Sequence, residues 1–154
     1  MSQPRSLTVA QSRSVESAAP RVYEVIADYR RYHPRIVPPR WFSNLEVISG
    51  PGVGAGTMIR FDVRAFGSTR SFRARIEEPE LGHVLTETDV DAGTVTTFTV
   101  RPRQGNRTDV TIATSMPRRP GVLGRLEGWM SNAFLRRVYK EELRRIEMVA
   151  KSED

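Results

Sequence analysis

Residues 120–151 read PGVLGRLEGWMSNAFLRRVYKEELRRIEMVAK, and this stretch decides the fold. It has no proline after Pro120, so it predicts one long C-terminal helix or two nearly continuous helices. In its second half, apolar residues recur at three- and four-residue spacing and charged residues occupy the other side. The apolar stripe comprises Leu135, Tyr139, Leu143, Ile146 and Val149, with Glu142 on the same side. We expect this stripe to lie against a sheet.

The first half of this stretch carries small residues where the second half carries large ones. Continued backwards at about 100° per residue, the stripe leads to Ser131, Gly128, Gly124 and Gly121. The large apolar residues fall on the opposite side, and they are Val122, Leu123, Leu126, Trp129, Met130, Ala133 and Phe134. Three explanations remain open. The helix bends near Ser131 and Asn132, the small residues leave room for a ligand, or the glycines allow close packing on the sheet.

The composition is that of one globular domain. With 154 residues, 38% of them hydrophobic and 27% charged, the chain can bury its own core, and we expect a single domain over residues 1–154. There is no apolar run of membrane-spanning length and no signal peptide, so we expect a cytoplasmic protein without stable membrane insertion. The absence of cysteine excludes disulfides and thiol nucleophiles.

The charge pattern argues against nucleic acid as a partner. The formal net charge is +6, but the arginines are scattered among Asp and Glu and form no dense basic stripe with aromatic residues. His33 and His83 are the only histidines, so the sequence predicts no metal site, and no cofactor motif is present.

The rest of the chain predicts a strand, one or two short helices and an antiparallel meander. A first strand over Leu7 to Val15 is followed by a helix starting near Pro20, and a second short helix is expected to stop at Pro34. From Leu45 to Met116 the apolar period is two, interrupted by turn residues, including a glycine-rich turn over residues 50–56. The expected class is therefore α+β, with a curved antiparallel sheet of about seven strands covered by the C-terminal helix.

Short motifs along nearly the whole chain carry a family resemblance. They are Ala19-Pro20, Asp28-Tyr29, residues 54–57 (GAGT), residues 78–82 (EPELG) and residues 97–102 (TFTVRP). With these, the chain resembles the SRPBCC superfamily, which includes START-like and Bet v 1-like proteins and small polyketide cyclase/dehydrase-type proteins. The resemblance implies a helix-grip fold with a deep, mostly apolar cavity between the sheet and the last helix. It implies binding of lipids, polyketides or similar molecules, and only some members of the superfamily are enzymes.

Candidate catalytic groups are few, and each has a simpler interpretation. His33 could be a general acid or base, although a solvated or capping role is the simpler expectation because no carboxylate is paired with it in the sequence. Glu87 would suit enolisation of a carbonyl if it were buried. Val84 and Val90 share the parity of Thr86 and Thr88, so we expect the threonines to point inward and Glu87 outward. Tyr139 is a third candidate, with its polar tip toward a ligand.

Three functions remain in view. The favoured one is binding of a small hydrophobic or aromatic ligand, and the second is a polyketide cyclase, aromatase or dehydratase that uses a few polar cavity residues. The third is a partner-binding or homodimeric module using Trp129, Met130 and Phe134. The residues expected to line the ligand cavity are Phe61, Phe72, Thr86, Phe98, Ile112, Ser131, Leu135 and Tyr139.

Overall fold

The computed structural model describes residues 6–117 and 132–152, in the predicted order of elements. The strands are β1 (Ser6–Val15), β2 (Phe42–Ser49), β3 (Met58–Ala65), β4 (Ser68–Glu80), β5 (Val84–Asp89), β6 (Val95–Arg103) and β7 (Arg107–Pro117). The helices are α1 (Ala19–Ala27), α2 (His33–Ile36) and α3 (Asn132–Lys151).

The seven strands form one antiparallel sheet in the order β1-β7-β6-β5-β4-β3-β2. Strands β2 to β7 follow one another as antiparallel hairpins. Strand β1 lies at one edge of the sheet, where it pairs with β7 along ten residues. Register shifts interrupt the β2–β3 pairing at Ser43/Glu46 and at Val47/Ser49, and the β4–β5 pairing at Glu77/Glu80. Such irregularities bend the strand that carries them, so they contribute to the curvature of the sheet. The predicted curved sheet and helix-grip fold are confirmed.

Helix α3 lies against the concave sheet through the predicted stripe. Its buried residues are Leu135, Val138, Tyr139, Glu142, Leu143, Ile146, Val149 and Ala150. Residues 120–131 of the predicted helix lie outside the described residues, so the three explanations for the glycine row stay hypotheses. Phe134 was placed on the side away from the sheet, and this placement is wrong. Its ring lines a cavity beneath α3 and meets Trp41 edge-on, with ring centroids 5.9 Å apart.

The two short helices α1 and α2 flank residues 28–32. Helix α1 has Pro20 in its first turn, where a missing N–H removes no helical bond, and it buries Val22, Val25 and Ile26. The expectation that Pro34 stops a helix is wrong, because Pro34 lies in the first turn of α2. There too the proline nitrogen has no helical hydrogen bond to lose, so Pro34 begins the helix instead of ending it.

Candidate functional site

A cavity of about 130 Å³ lies between the concave face of the sheet and α3. This volume is close to the roughly 150 Å³ of an apolar protein cavity that takes up one benzene molecule. Aromatic and aliphatic side chains make most of the wall, and Phe61 is stacked on Phe72 with centroids 5.7 Å apart. The apolar part of the wall includes Val37, Phe42, Leu45, Ile59, Phe61, Val63, Phe72, Ala74, Phe98, Phe134, Leu135 and Val138.

Glu87 lines this cavity, and the expectation that it points outward is wrong. The parity of β5 is set by Leu85, which is fully buried, whereas Val84 is half-buried and Val90 lies beyond the end of the strand. The Tyr29 hydroxyl donates a hydrogen bond of 2.7 Å to Glu87 Oε2. Burial nevertheless raises the pKa of Glu87 to about 7, against the opposing effect of this bond. The carboxyl group can therefore both take up and release a proton near neutral pH.

His33 lies beside Glu87 and is 2% exposed, so the solvated role is wrong, whereas its contact with a carbonyl in the last turn of α1 agrees with the alternative capping role. Its ring is stacked on Tyr29, with centroids 4.1 Å apart, and its Nδ1 is 2.7 Å from the carbonyl oxygen of Ile26. A proton on Nδ1 satisfies this contact, which leaves Nε2 as an acceptor 3.6 Å from Glu87 Oε2. Burial lowers the pKa of His33 to about 4, so the ring is neutral at physiological pH.

The turn between α1 and α2 places Tyr29 and His33 together. Asp28 Oδ1 accepts hydrogen bonds from the backbone N–H groups of Arg30 and Arg31, and the Asp28 carbonyl accepts one from His33. The Tyr29 N–H donates to Gly52 on the glycine-rich turn. These backbone bonds fix the two side chains that flank Glu87.

A chain of hydroxyl groups forms a second polar feature of the cavity wall. Tyr139 on α3 is hydrogen-bonded to the Thr114 hydroxyl on β7, and Thr114 contacts the Thr96 hydroxyl on β6 at 2.9 Å. Burial raises the pKa of Tyr139 well above its usual range. Tyr139 therefore stays protonated, and its hydroxyl can act as a hydrogen-bond donor or acceptor.

Glu142 is a second buried carboxyl group in the wall. It lies one turn after Val138 on the inner face of α3 and is 4% exposed. Burial raises its pKa well above the ordinary value, and the nearby Glu87 adds to the rise. When Glu87 is ionised, its charge therefore favours the protonated form of Glu142.

The chain matches the model of the family described as "Polyketide cyclase / dehydrase and lipid transport" over residues 6–151. It belongs to this family. No curated protein sequence matches the chain.

Three solved structures have folds similar to that of this family member. The solution structure of KanY has a TM-score of 0.82 at 24% identity and covers 96% of this chain and 99% of KanY. The Zhui aromatase/cyclase from Streptomyces sp. R1128 has a TM-score of 0.76 at 19% identity, with 96% and 94% covered. A START superfamily protein from Mycobacterium smegmatis has a TM-score of 0.70 at 14% identity, with 92% and 97% covered. The resemblance stated from the sequence is confirmed.

Five of the eight residues predicted to line the cavity of this polyketide cyclase/dehydrase family member do so, and they are Phe61, Phe72, Phe98, Leu135 and Tyr139. Thr86 alternates with Glu87 and therefore faces the other side of β5. Ile112 is fully buried in the core and is not part of the wall. Ser131 lies outside the described residues, as do Trp129 and Met130, so the homodimer stays a prediction.

The sequence interpretation missed Glu142 and the pairing of Tyr29 with Glu87. Glu142 had a readable signal, because a carboxylate on the apolar stripe of an amphipathic helix is placed against the core. The contact between Tyr29 and Glu87 joins residues 58 positions apart and had no local signal. In residues 6–117 and 132–152, no group of three or more metal-ligating side chains comes together, and no helix there is long and apolar enough to cross a membrane.

Proposed function

We propose that this protein binds a small, mostly apolar molecule with an aromatic ring or short acyl chain in the cavity beneath α3. The observation that carries the proposal is the wall itself, in which phenylalanine and aliphatic side chains surround space for about one ring. Lipids and polyketides are the ligand classes that the family description names. The cavity contributes the apolar contact, and the hydroxyl and carboxyl groups of its wall orient a polar substituent of the ligand. The lack of cysteine fits a cytoplasmic location, which we also propose.

Native mass spectrometry of the protein purified from its own host tests this proposal. We expect a copurifying small molecule that is released on denaturation and can be identified by its mass. Ala74→Leu should prevent this copurification because Ala74 is buried in the wall, and a larger side chain takes up ligand space. Ala113→Leu is the matched control, since residue 113 alternates with the inward Thr114 on β7. Equal ligand content in both variants would contradict binding in this cavity.

A second candidate function is proton transfer to and from a bound carbonyl compound, as in a cyclase, aromatase or dehydratase. The observation that favours it is Glu87, a carboxyl group in the cavity wall with a pKa of about 7 and a hydrogen bond from Tyr29. A general base works best when its pKa lies near the working pH. Ionised Glu87 would remove a proton from the carbon next to the carbonyl, forming an enolate, and would return the proton to that carbon.

Deuterium exchange tests the second function. We would follow loss of the α-proton signal of phenylacetone in D₂O by NMR with and without the protein. The wild-type rate should rise through pH 7 as Glu87 ionises, and Glu87→Gln should lower the protein-dependent rate by about 100-fold. Glu77→Gln, on the exposed side of β4, should exchange like wild type. An equal rate in Glu87→Gln and wild type would rule out Glu87 as the base.

A further inference from the structure

The charged groups in the cavity wall all have one sign. Among the described residues, the wall contains Glu87, Asp89 and Glu142, and it contains no lysine or arginine. This is unusual for a chain whose net charge is +6. Asp89 is already engaged, because its Oδ1 accepts hydrogen bonds from the backbone N–H groups of Asp91 and Ala92. Among the described residues, Glu142 accepts no hydrogen bond and Glu87 accepts one, from Tyr29 to Oε2, so both keep oxygen atoms for a ligand.

Glu142 has no hydrogen-bond partner within the part of the chain that the structure describes, although it is 4% exposed and lines the cavity. A buried carboxyl group without a partner is costly, and the cost rises when it ionises. Tyr139 on its own helix, Tyr29 in the turn before α2 and Glu87 on β5 interact electrostatically with Glu142. His33 on α2 and Asp89 on β5 line the same cavity.

None of these neighbours supplies a positive charge at neutral pH. Burial keeps His33 neutral above about pH 4, and the two tyrosines are neutral as well. The Thr114 hydroxyl, which β7 presents to the same cavity, is already bonded to Tyr139. Among the described residues of the wall, no group supplies the positive charge that would balance an ionised carboxylate there, and a ligand can provide it.

We propose that the cavity selects ligands that carry a protonated amine on an aromatic or alkyl body, with Glu142 and Glu87 as the partners of the ammonium group. This inference rests on the proposed binding function and specifies the ligand class for the same cavity. The ring would occupy the phenylalanine-rich part of the wall. An ammonium group donates three hydrogen bonds, so it can bond to both carboxyl groups. Its single positive charge balances one ionised carboxylate while the other carboxyl group stays protonated.

The proposal predicts that binding of an amine releases protons and that its affinity depends on pH. Burial makes both carboxyl groups hold protons more tightly than in water, and the charge of Glu87 adds to this effect at Glu142. An ammonium group favours their ionised forms, so binding below neutral pH must expel protons to the buffer. Affinity for an amine should therefore rise as the pH increases from 5 to 8, while affinity for a neutral analogue should stay nearly constant.

Three one-ring probes of similar size test the charge preference: benzylammonium, benzyl alcohol and benzoate. Isothermal titration calorimetry at pH 8 should show benzylammonium binding at least about tenfold more tightly than benzyl alcohol, with benzoate weakest. At pH 5 the advantage of the amine should fall below about threefold. Titrations at pH 6.5 in phosphate and in Tris should show different heats, because protons are released to the buffer.

A pair of variants links the preference to Glu142. Glu142→Gln should weaken benzylammonium by at least about tenfold at pH 8 and leave benzyl alcohol within about twofold. Glu141→Gln is the matched control, because Glu141 is paired with Arg144 and Arg145 outside the cavity. The comparison of the three probes in the wild-type protein is independent of how well the variant folds.

The outcomes separate this inference from the function on which it rests. If benzyl alcohol binds as tightly as benzylammonium at pH 8, the preference for amines is wrong and the apolar binding function stands. Tighter binding of benzoate would have the same meaning. If none of the three probes binds, the cavity does not accept a one-ring molecule, and both the binding function and the amine preference are overturned.

Discussion

Tyr29, Glu87 and His33 form a buried group in which burial and the hydrogen bond from Tyr29 set the protonation of Glu87. The Tyr29 hydroxyl donates to Glu87, which favours the carboxylate, whereas burial favours the neutral acid and dominates. Because the Ile26 carbonyl oxygen accepts a hydrogen bond from His33 Nδ1–H, the imidazole nitrogen nearest Glu87, Nε2, is an acceptor. Protonated Glu87 therefore has a neutral acceptor, His33 Nε2, beside it. This arrangement suits a carboxyl group that exchanges protons with a ligand.

Replacing Tyr29 with Phe should raise the pKa of Glu87 above its value of about 7. The lost bond is one that stabilises the ionised carboxylate, so the expected rise is about one pKa unit. The carbon-13 chemical shift of the Glu87 carboxyl group, followed by NMR from pH 4 to pH 10, measures this change. Tyr139→Phe serves as the control, since the Tyr139 hydroxyl bonds to Thr114 and not to Glu87. A pKa that falls in Tyr29→Phe would mean that Tyr29 does not donate to the carboxylate.

The glycine-rich turn between β2 and β3 positions this group from outside the cavity. Gly52 accepts the Tyr29 N–H at 2.9 Å, and the Gly54 N–H donates to Ala27 at the end of α1 at 3.0 Å. Thr57, which is fully buried, accepts a hydrogen bond from the Gly52 N–H. The turn thus connects the sheet to the segment that carries Tyr29 and His33.

Gly50→Ala should destabilise the protein more than Gly67→Ala, although both glycines have positive φ. At Gly50, with φ +85°, an added Cβ would overlap the backbone carbonyl of Gly56, and backbone atoms cannot move aside as a flexible side chain can. At Gly67, with φ +75°, nothing lies within 4 Å, so only the left-handed conformation is unfavourable, at about 1–2 kcal/mol. Urea unfolding should show a loss of about 3 kcal/mol or more for Gly50→Ala. Equal losses would mean that the turn relaxes around the new methyl group.

The helices and strands could be predicted from the sequence where the periodic pattern extends over many residues. The arrangement of the site residues could not. The stripe of α3 extends over about four turns, so one ambiguous residue does not change its interpretation. Strand β5 has six residues, VLTETD, and its parity depends on whether Leu85 or Val84 is taken as the inward residue. Choosing the valines placed Glu87 on the wrong side. The burial of His33 depends on contacts with Phe98 and Ile26 that only the folded chain brings together.

Across the whole molecule, the buried site makes stability depend on pH in two opposing ways. His33 has a folded pKa near 4, below its ordinary value of 6.5, so its contribution is complete above pH 6.5 and is lost as the pH falls toward 4. Glu87 has a folded pKa near 7, above its ordinary value of 4.5, so the folded state loses stability as the pH rises from 4.5 to 7. Between pH 4.5 and 6.5 the two effects largely cancel, and the raised pKa of Glu142 adds to the effect of Glu87.

Glu87→Gln should remove the loss of stability that Glu87 causes as the pH rises and leave the opposing effect of His33. Glutamine keeps an acceptor for the Tyr29 hydroxyl but does not ionise. The free energy of unfolding of the variant, measured relative to wild type, should therefore increase as the pH rises. The gain should be about 1.4 kcal/mol per pH unit between pH 4.5 and 7, or about 3 kcal/mol in total. Urea unfolding at half-unit pH intervals measures this difference. Groups that are common to both proteins and do not interact with residue 87 cancel from it, such as Glu147, whose pKa the Glu16 N–H and Arg13 lower against the effect of burial. Glu77→Gln should run parallel to wild type, since Glu77 lies on the exposed side of β4. A constant difference between Glu87→Gln and wild type would show that Glu87 is ionised throughout this range, and the proton-transfer function would then lose its basis.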